Sequence, residues 1–297
     1  MMQKYIKRWE ALPGNARGSL IILAASLLSV LMTSLIKHVG QTIPVAEILF
    51  IRQILVLIII SPVLLRNWDT VFKTNIFGTH ALRCSLSIVA MYTGFSAVVN
   101  MPLAEVTAIS FARILFTTIL AIIFLKEVIG LRRWTSIIIG FIGVLVIIRP
   151  DPDNINIYAL MAIVSALFVS GGQIVLRKLS QIDQASTILA FHSVSITLIL
   201  AIPAYIQWVT PNFHEMIFIA MIGSLMSVMQ WLFIKALKVG EAAAIAPMEY
   251  VRLLYAGVIG IIFFAEIPTI WTLSGAGIIV ASTLYTMHRN TVKAAKK

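Results

Sequence analysis

Long apolar stretches, broken by short polar connections marked by proline, run the length of this chain. A helix that crosses a hydrocarbon core of about 30 Å needs roughly 17–25 apolar residues. The pattern predicts ten such helices, near residues 19–36, 45–65, 79–98, 105–125, 132–148, 157–176, 187–207, 215–234, 243–264 and 270–287. Pro44, Pro102, Pro150, Pro211 and Pro268 stand in or beside the predicted connections, where residues that end helices belong. Trp68 and Trp134 fall at one set of helix ends and Trp208 and Trp271 at the other, as interface aromatics do.

The basic residues orient these spans. One face receives Lys4, Lys7, Arg8 and Arg17, then Arg66 and Lys73, then Lys126, Arg132 and Arg133. It also receives Arg177 and Lys178, Lys235 and Lys238, and Arg289, Lys293, Lys296 and Lys297, with Arg83 close to it. Only Lys37 and Arg149 fall on the opposite face. A basic-rich face is cytoplasmic, so both termini are expected inside, which requires an even number of spans. The basic start followed by the run Ser19–Ile36 reads as an uncleaved first span rather than a removed leader.

Composition agrees. The chain has 297 residues, 60% hydrophobic and only 12% charged, against about 25% charged for a soluble domain. The net charge of +11 is spread over the helix connections, which excludes a nucleic-acid-binding face. Cys84 is the single cysteine and lies in an apolar run, so neither a disulfide frame nor a thiolate metal site is expected. His38, His80, His192, His214 and His288 are scattered without metal-ligand spacing, and no P-loop is present. No metal or cofactor is expected, and a membrane-embedded enzyme lacks its cluster of catalytic groups.

The chain repeats itself. LAEVTAISFARILFTTILAIIFLKE at 103–127 aligns without gaps on AAAIAPMEYVRLLYAGVIGIIFFAE at 242–266. Arg113 meets Arg252, Phe111 meets Tyr250 and Glu127 meets Glu266. A connection two residues shorter then brings Trp134 onto Trp271 and Gly140 onto Gly277, and more weakly Lys37 onto Arg177 and Arg52 onto His192. Each repeat holds five spans. An odd count makes the second copy enter from the opposite face, so the fold class is all-α, with ten transmembrane helices as two inverted five-helix repeats, residues 1–150 and 151–297. Such architectures place a midplane site between the repeats, and access alternates as one repeat rocks against the other.

FIRQ at 50–53, PLAEVTAISFA at 102–112, FLKE at 124–127, FFAE at 263–266 and IIVASTLYTMHR at 278–289 resemble the EamA-type branch of the drug/metabolite transporter superfamily. The resemblance covers nearly the whole chain. It implies a ten-helix carrier in a family that includes amino-acid exporters, S-adenosylmethionine importers and vitamin or carnitine-type carriers. Three departures stand out. The fourth span in this family often carries a proline where Arg113 stands here. Helix ends in this family usually read Gly-Glu, whereas Lys126 and Ala265 precede the glutamates here. The first span also lacks the acidic residue on which small multidrug relatives rely.

Arg52, Arg113 and Arg252 lie inside spans. Each costs roughly 2.5–3.5 kcal/mol at a bilayer centre, so all three must face the bundle interior. One reading is a cationic wall for a substrate carboxylate or phosphate. The other is internal ion pairing, with Glu249 three residues before Arg252 on the same helical face. Glu249, the one carboxylate deep in a span, is the candidate for ion coupling. Glu127 and Glu266 read as structural caps for spans five and ten. Gly171, Gly172 and Gln173 in span six predict either local unwinding at a binding site or tight packing. Tyr92 and Trp231, aligned between spans three and eight, offer stacking for a planar substrate or ordinary packing, and Tyr250 joins the set beside Arg252. Ser136, Gly140, Gly277 and Ala281 give spans five and ten small-residue spacing, for contact within the chain or a homodimer.

The expectation is a secondary transporter of the bacterial inner membrane, moving a small, carboxylate-bearing metabolite by alternating access. Its partners are the small-molecule substrate and the lipid bilayer. The resemblance also implies uptake of an S-adenosylmethionine-like or vitamin-like nutrient. An enzyme or an assembly subunit is the weaker alternative.

Overall fold

The computed structural model describes residues 12–66, 71–125, 131–149, 156–239 and 246–294. Glu127, Trp68, Pro150, Lys126 and the terminal basic residues Lys4, Lys7, Arg8, Lys296 and Lys297 lie outside them. The described residues are helical throughout, without a strand. The helices are α1 (Gly14–Val39), α2 (Val45–Arg66), α3 (Phe77–Asn100), α4 (Leu103–Ser110), α5 (Ala112–Leu125), α6 (Leu131–Ile148) and α7 (Ile157–Leu179). They continue with α8 (Ala185–Ile206), α9 (Phe213–Val239), a 3₁₀ turn (Ala246–Tyr250), α10 (Val251–Phe264) and α11 (Ile270–Ala294).

Among the described residues, seven segments are long and apolar enough to cross a membrane: 14–39, 45–62, 77–100, 103–124, 157–179, 186–206 and 213–236. Apolar stretches in α6 and α11 and the 3₁₀–α10 unit complete ten spans. Large apolar side chains such as Ile58, Ile123, Leu198, Leu254 and Phe263 stand exposed, as a lipid-facing belt requires.

Among the described residues, spans four and nine break. After α4, Phe111 N–H bonds Ala108 O at 3.1 Å and Ile114 N–H bonds Phe111 O at 3.0 Å, a tightened turn within an otherwise apolar run. In span nine the same level is wound as the 3₁₀ turn at Ala246–Tyr250. Sequence alignment places these breaks at equivalent points of the two repeats.

The halves interlock. The most extensive helix pairs are α3 with α7, α1 with α9, α6 with α11 and α2 with α8, each joining one repeat to the other. The α6–α11 pair meets through two glycines. A Cβ added to Gly275 would stand 2.5 Å from Gly143 O, and one added to Gly143 would stand 2.9 Å from Gly275 O. Spans five and ten therefore meet within the chain backbone to backbone, through Gly143 and Gly275. Gly140 packs on Leu115 and Ser282, while a Cβ on Gly277 would touch nothing within 4 Å. The sequence motif predicted the contact but named the wrong glycine of α11.

Candidate functional site

The two breaks face each other. Phe111 and Tyr250 pack ring to ring, their centroids 4.8 Å apart, at the point where the repeats cross. Two residues on from each aromatic comes an arginine, and one residue before each comes a polar side chain, Ser110 or Glu249. The contacts are exchanged across the repeats. Arg113 donates to Glu249 Oε2 at 3.0 Å, and Arg252 donates to Ser110 Oγ at 2.7 Å. The Arg252 guanidinium also lies 5.1 Å from the Phe111 ring centroid, over its face. Ser110 and Glu249 are equivalent positions, so this is one arrangement written twice, with a carboxylate in one copy and a hydroxyl in the other.

This cross lines a cavity of about 610 Å³. Ser26 and Ser29 of α1, Thr117 and Thr118 of α5, Gln173 of α7 and Phe233 of α9 complete much of its wall. Every lining residue lies at mid-depth or on the half of its helix toward the face that carries Gly14 and Val239. Arg113 and Glu249 have side chains 30% and 25% exposed within it. Two guanidiniums and one carboxylate leave the cavity cationic. Among the described residues, Arg252 has no carboxylate within ion-pair distance.

The opposite face is closed. Lys37 of α1 pairs with Glu266 and donates to Met101 O. Glu266 in turn accepts from Leu103 N–H at 2.8 Å, capping the first turn of α4. Ala265, left-handed at φ 53°, ends α10 and turns Glu266 toward that position. Gln41 donates to Val99 O at 3.1 Å, and Thr272 to Glu105 Oε1 at 3.1 Å. Val98, Val99, Met101, Leu103 and Val106 are buried around this clamp.

Several expectations are corrected by these positions. Glu249 pairs across the repeat with Arg113, not within its own helix with Arg252. Glu266 caps α4, not the helix that follows it. Arg52 is buried outside the cavity, between Met226 Sδ at 3.2 Å, Gln53 Oε1 at 3.4 Å and the Phe95 ring at 5.4 Å. Tyr92 and Trp231 are 38% and 58% exposed and take no part in lining the cavity. Helix α7 runs unbroken through Gly171 and Gly172. Gly171 lines a different cavity, and a Cβ on Gly172 would meet nothing within 4 Å. Of the sequence-predicted set, Arg113, Arg252, Gln173, Glu249 and Tyr250 are brought together. Ser110 and Lys37 were missed. Ser110 was findable as the repeat partner of Glu249, and Lys37 as one of only two basic residues on its face.

Ten helical segments in two interlocked repeats, around a polar cavity sealed at one end, define a multi-pass membrane carrier of small molecules. The chain belongs to the EamA-like transporter family, which matches it twice, over residues 16–149 and 156–287. It is 29% identical to an S-adenosylmethionine uptake transporter of Rickettsia bellii over 262 residues, covering 88% of this chain and 90% of that one. It is 26% identical to a riboflavin transporter of Vibrio cholerae over 290 residues, covering 95% and 96%. A pseudopaline exporter of Pseudomonas aeruginosa is 24% identical, covering 90% of this chain and 94% of its own. A solved crystal structure shares the fold with TM-score 0.61 at 14% identity, over 92% of this chain and 98% of its own.

Proposed function

We propose that this carrier moves a small organic metabolite bearing a carboxylate, by alternating access through the Arg113–Arg252 cavity. The observation that carries the reading is Arg252, set at the cavity wall against a hydroxyl and an aromatic face with no described carboxylate partner. Guanidinium in that setting favours a bidentate oxyanion. The buried Phe111–Tyr250 pair beside it holds the guanidinium at the wall. Uptake of an S-adenosylmethionine-like or vitamin-like nutrient fits this cationic wall and the names of two relatives.

In this reading the termini lie in the cytoplasm of a bacterium, the cavity opens inward, and Lys37–Glu266 seals the periplasmic end. Residues 1–150 and 151–297 rock as two halves. Glu249, released when a substrate carboxylate takes Arg113, is the group through which a proton couples. No metal or cofactor takes part. A homodimer would use the exposed side of α11 around Gly277, because the Gly143–Gly275 face is already occupied.

The test is a thermal-shift screen of purified protein against amino acids, organic acids, nucleoside-like compounds and vitamins, followed by uptake into proteoliposomes. A ligand at about 100 times its Kd stabilises by roughly 2.7 kcal/mol if it binds only the folded state. The expected result is an anionic or zwitterionic hit that Arg252→Gln abolishes while its helical content stays intact. Glu249→Gln should leave binding in place and remove the response of uptake to a pH gradient. Hits confined to lipophilic cations, or unchanged binding by Arg252→Gln, overturn the proposal.

A further inference from the structure

A second cavity, of about 800 Å³, lies away from the arginine cross, between the first turns of α3 and the last turns of α5 and α7. All three segments end on the basic-rich face. The walls are apolar, with Leu82 and Leu86 from α3, Phe124 from α5, and Phe168 and Val175 from α7. The polar lining sits at one end only, where α7 finishes with Arg177 and Lys178, followed by Gln181. Both basic residues are exposed. Gly171 keeps the groove wide. A Cβ there would only just reach Leu86 Cδ1, at 3.5 Å, so any larger side chain would project into the space.

An apolar trough that runs toward the membrane centre and ends in two cations at headgroup depth has the charge distribution of one ligand class. We propose that this groove binds an anionic diacyl phospholipid from the leaflet on the basic face, its acyl chains along Leu86 and Phe168 and its phosphate at Arg177 and Lys178. Lysine and arginine at this depth attract anionic lipid. The apolar length distinguishes a lipid from a soluble phosphate, which would leave the trough unfilled. This site accounts for Gly171, which the substrate cavity does not use. It is independent of the substrate proposed above.

The experiment is native mass spectrometry of the full chain, released from nanodiscs that contain equal amounts of phosphatidylglycerol and phosphatidylcholine. The wild type is expected to retain phosphatidylglycerol in preference. Near an anionic leaflet each basic residue contributes about 1 kcal/mol, so Lys178→Gln should lower occupancy about fivefold and Arg177→Gln/Lys178→Gln roughly 25-fold. Gly171→Leu and, from the facing helix, Leu86→Trp should displace the lipid with the charges intact. Lys238→Gln, on the same face but off the groove, should retain it. Equal loss in Lys178→Gln and Lys238→Gln would reduce the effect to diffuse surface charge and overturn the proposal. Wild-type occupancy in both groove-filling variants would overturn it as well.

Discussion

Replacing Lys37 with methionine tests whether the closed end is a gate. The Lys37 and Glu266 side chains are only 9% and 17% exposed. Removing one partner of such a pair strands the other charge, at a cost of about 3–5 kcal/mol when burial is complete. The residual exposure argues for the lower bound, about 3 kcal/mol, applied only to the state in which this end is closed. At 1.36 kcal/mol per decade, that shifts the ratio of open to closed molecules by about 150-fold. The assay is labelling with a membrane-impermeant maleimide from the sealed face. Thr107→Cys in a Cys84→Ala background provides the target, because Thr107 is buried on α4 between the clamp and Ser110. Lys37→Met should raise the labelling rate on the order of a hundredfold, as expected when labelling tracks the open population. Glu266→Gln should act in the same direction. The swap Lys37→Glu/Glu266→Lys should fail to restore closure, because position 37 also donates to Met101 O and position 266 also accepts from Leu103 N–H. Unchanged labelling in Lys37→Met would refute the gate. Full restoration by the swap would reduce the clamp to a simple ion pair.

Three further outcomes follow from the geometry. Ala265→Gly should raise the melting temperature, because a left-handed alanine costs roughly 1–2 kcal/mol that glycine avoids, with up to about 1 kcal/mol returned through the unfolded chain. Gly275→Ala should destabilise by about 1–3 kcal/mol in a thermal melt, since its Cβ would meet Gly143 O and Ile147 Cγ1 at 2.5 Å, whereas Gly277→Ala should be silent. The hydrogen bond from His80, followed by that from Thr74, holds the Asp183 carboxyl below its ordinary range. A depressed carboxylate stabilises above its unfolded pKa and loses that contribution as pH falls through the folded one. Melting between pH 6 and pH 3 should therefore drop less steeply for Asp183→Asn than for the wild type.

Hydropathy and proline punctuation located the spans well. Residues 45–65 became Val45–Arg66 and 157–176 became Ile157–Leu179. Apolar runs are a property of the chain itself, so sequence carries them directly. The internal repeat likewise identified Arg113, Arg252 and Tyr250, which the fold brings to one cavity. The partner of Glu249 was not legible. Counting along an ideal α-helix puts Glu249 and Arg252 on one face, but 3₁₀ winding at 246–250 changes the angle per residue and turns the carboxylate toward the other repeat. Tyr92 and Trp231 failed for a different reason. Alignment of repeats matches depth in the membrane but does not say whether a side chain faces lipid or cavity. Gly171 and Gly172 share that ambiguity, since small residues serve packing, unwinding and grooves alike.

The exchanged contacts at the centre have an evolutionary consequence. Each arginine is completed by a residue from the other half of the gene, so neither half can drift alone. A change at position 110 selects on position 252, and one at 249 selects on 113, across sequence separations of 142 and 136. If the two halves descend from one duplicated ancestor, that ancestor had to meet a second copy of itself inserted upside down. The serine that stands where the other copy has a glutamate leaves the site with one cation to spare.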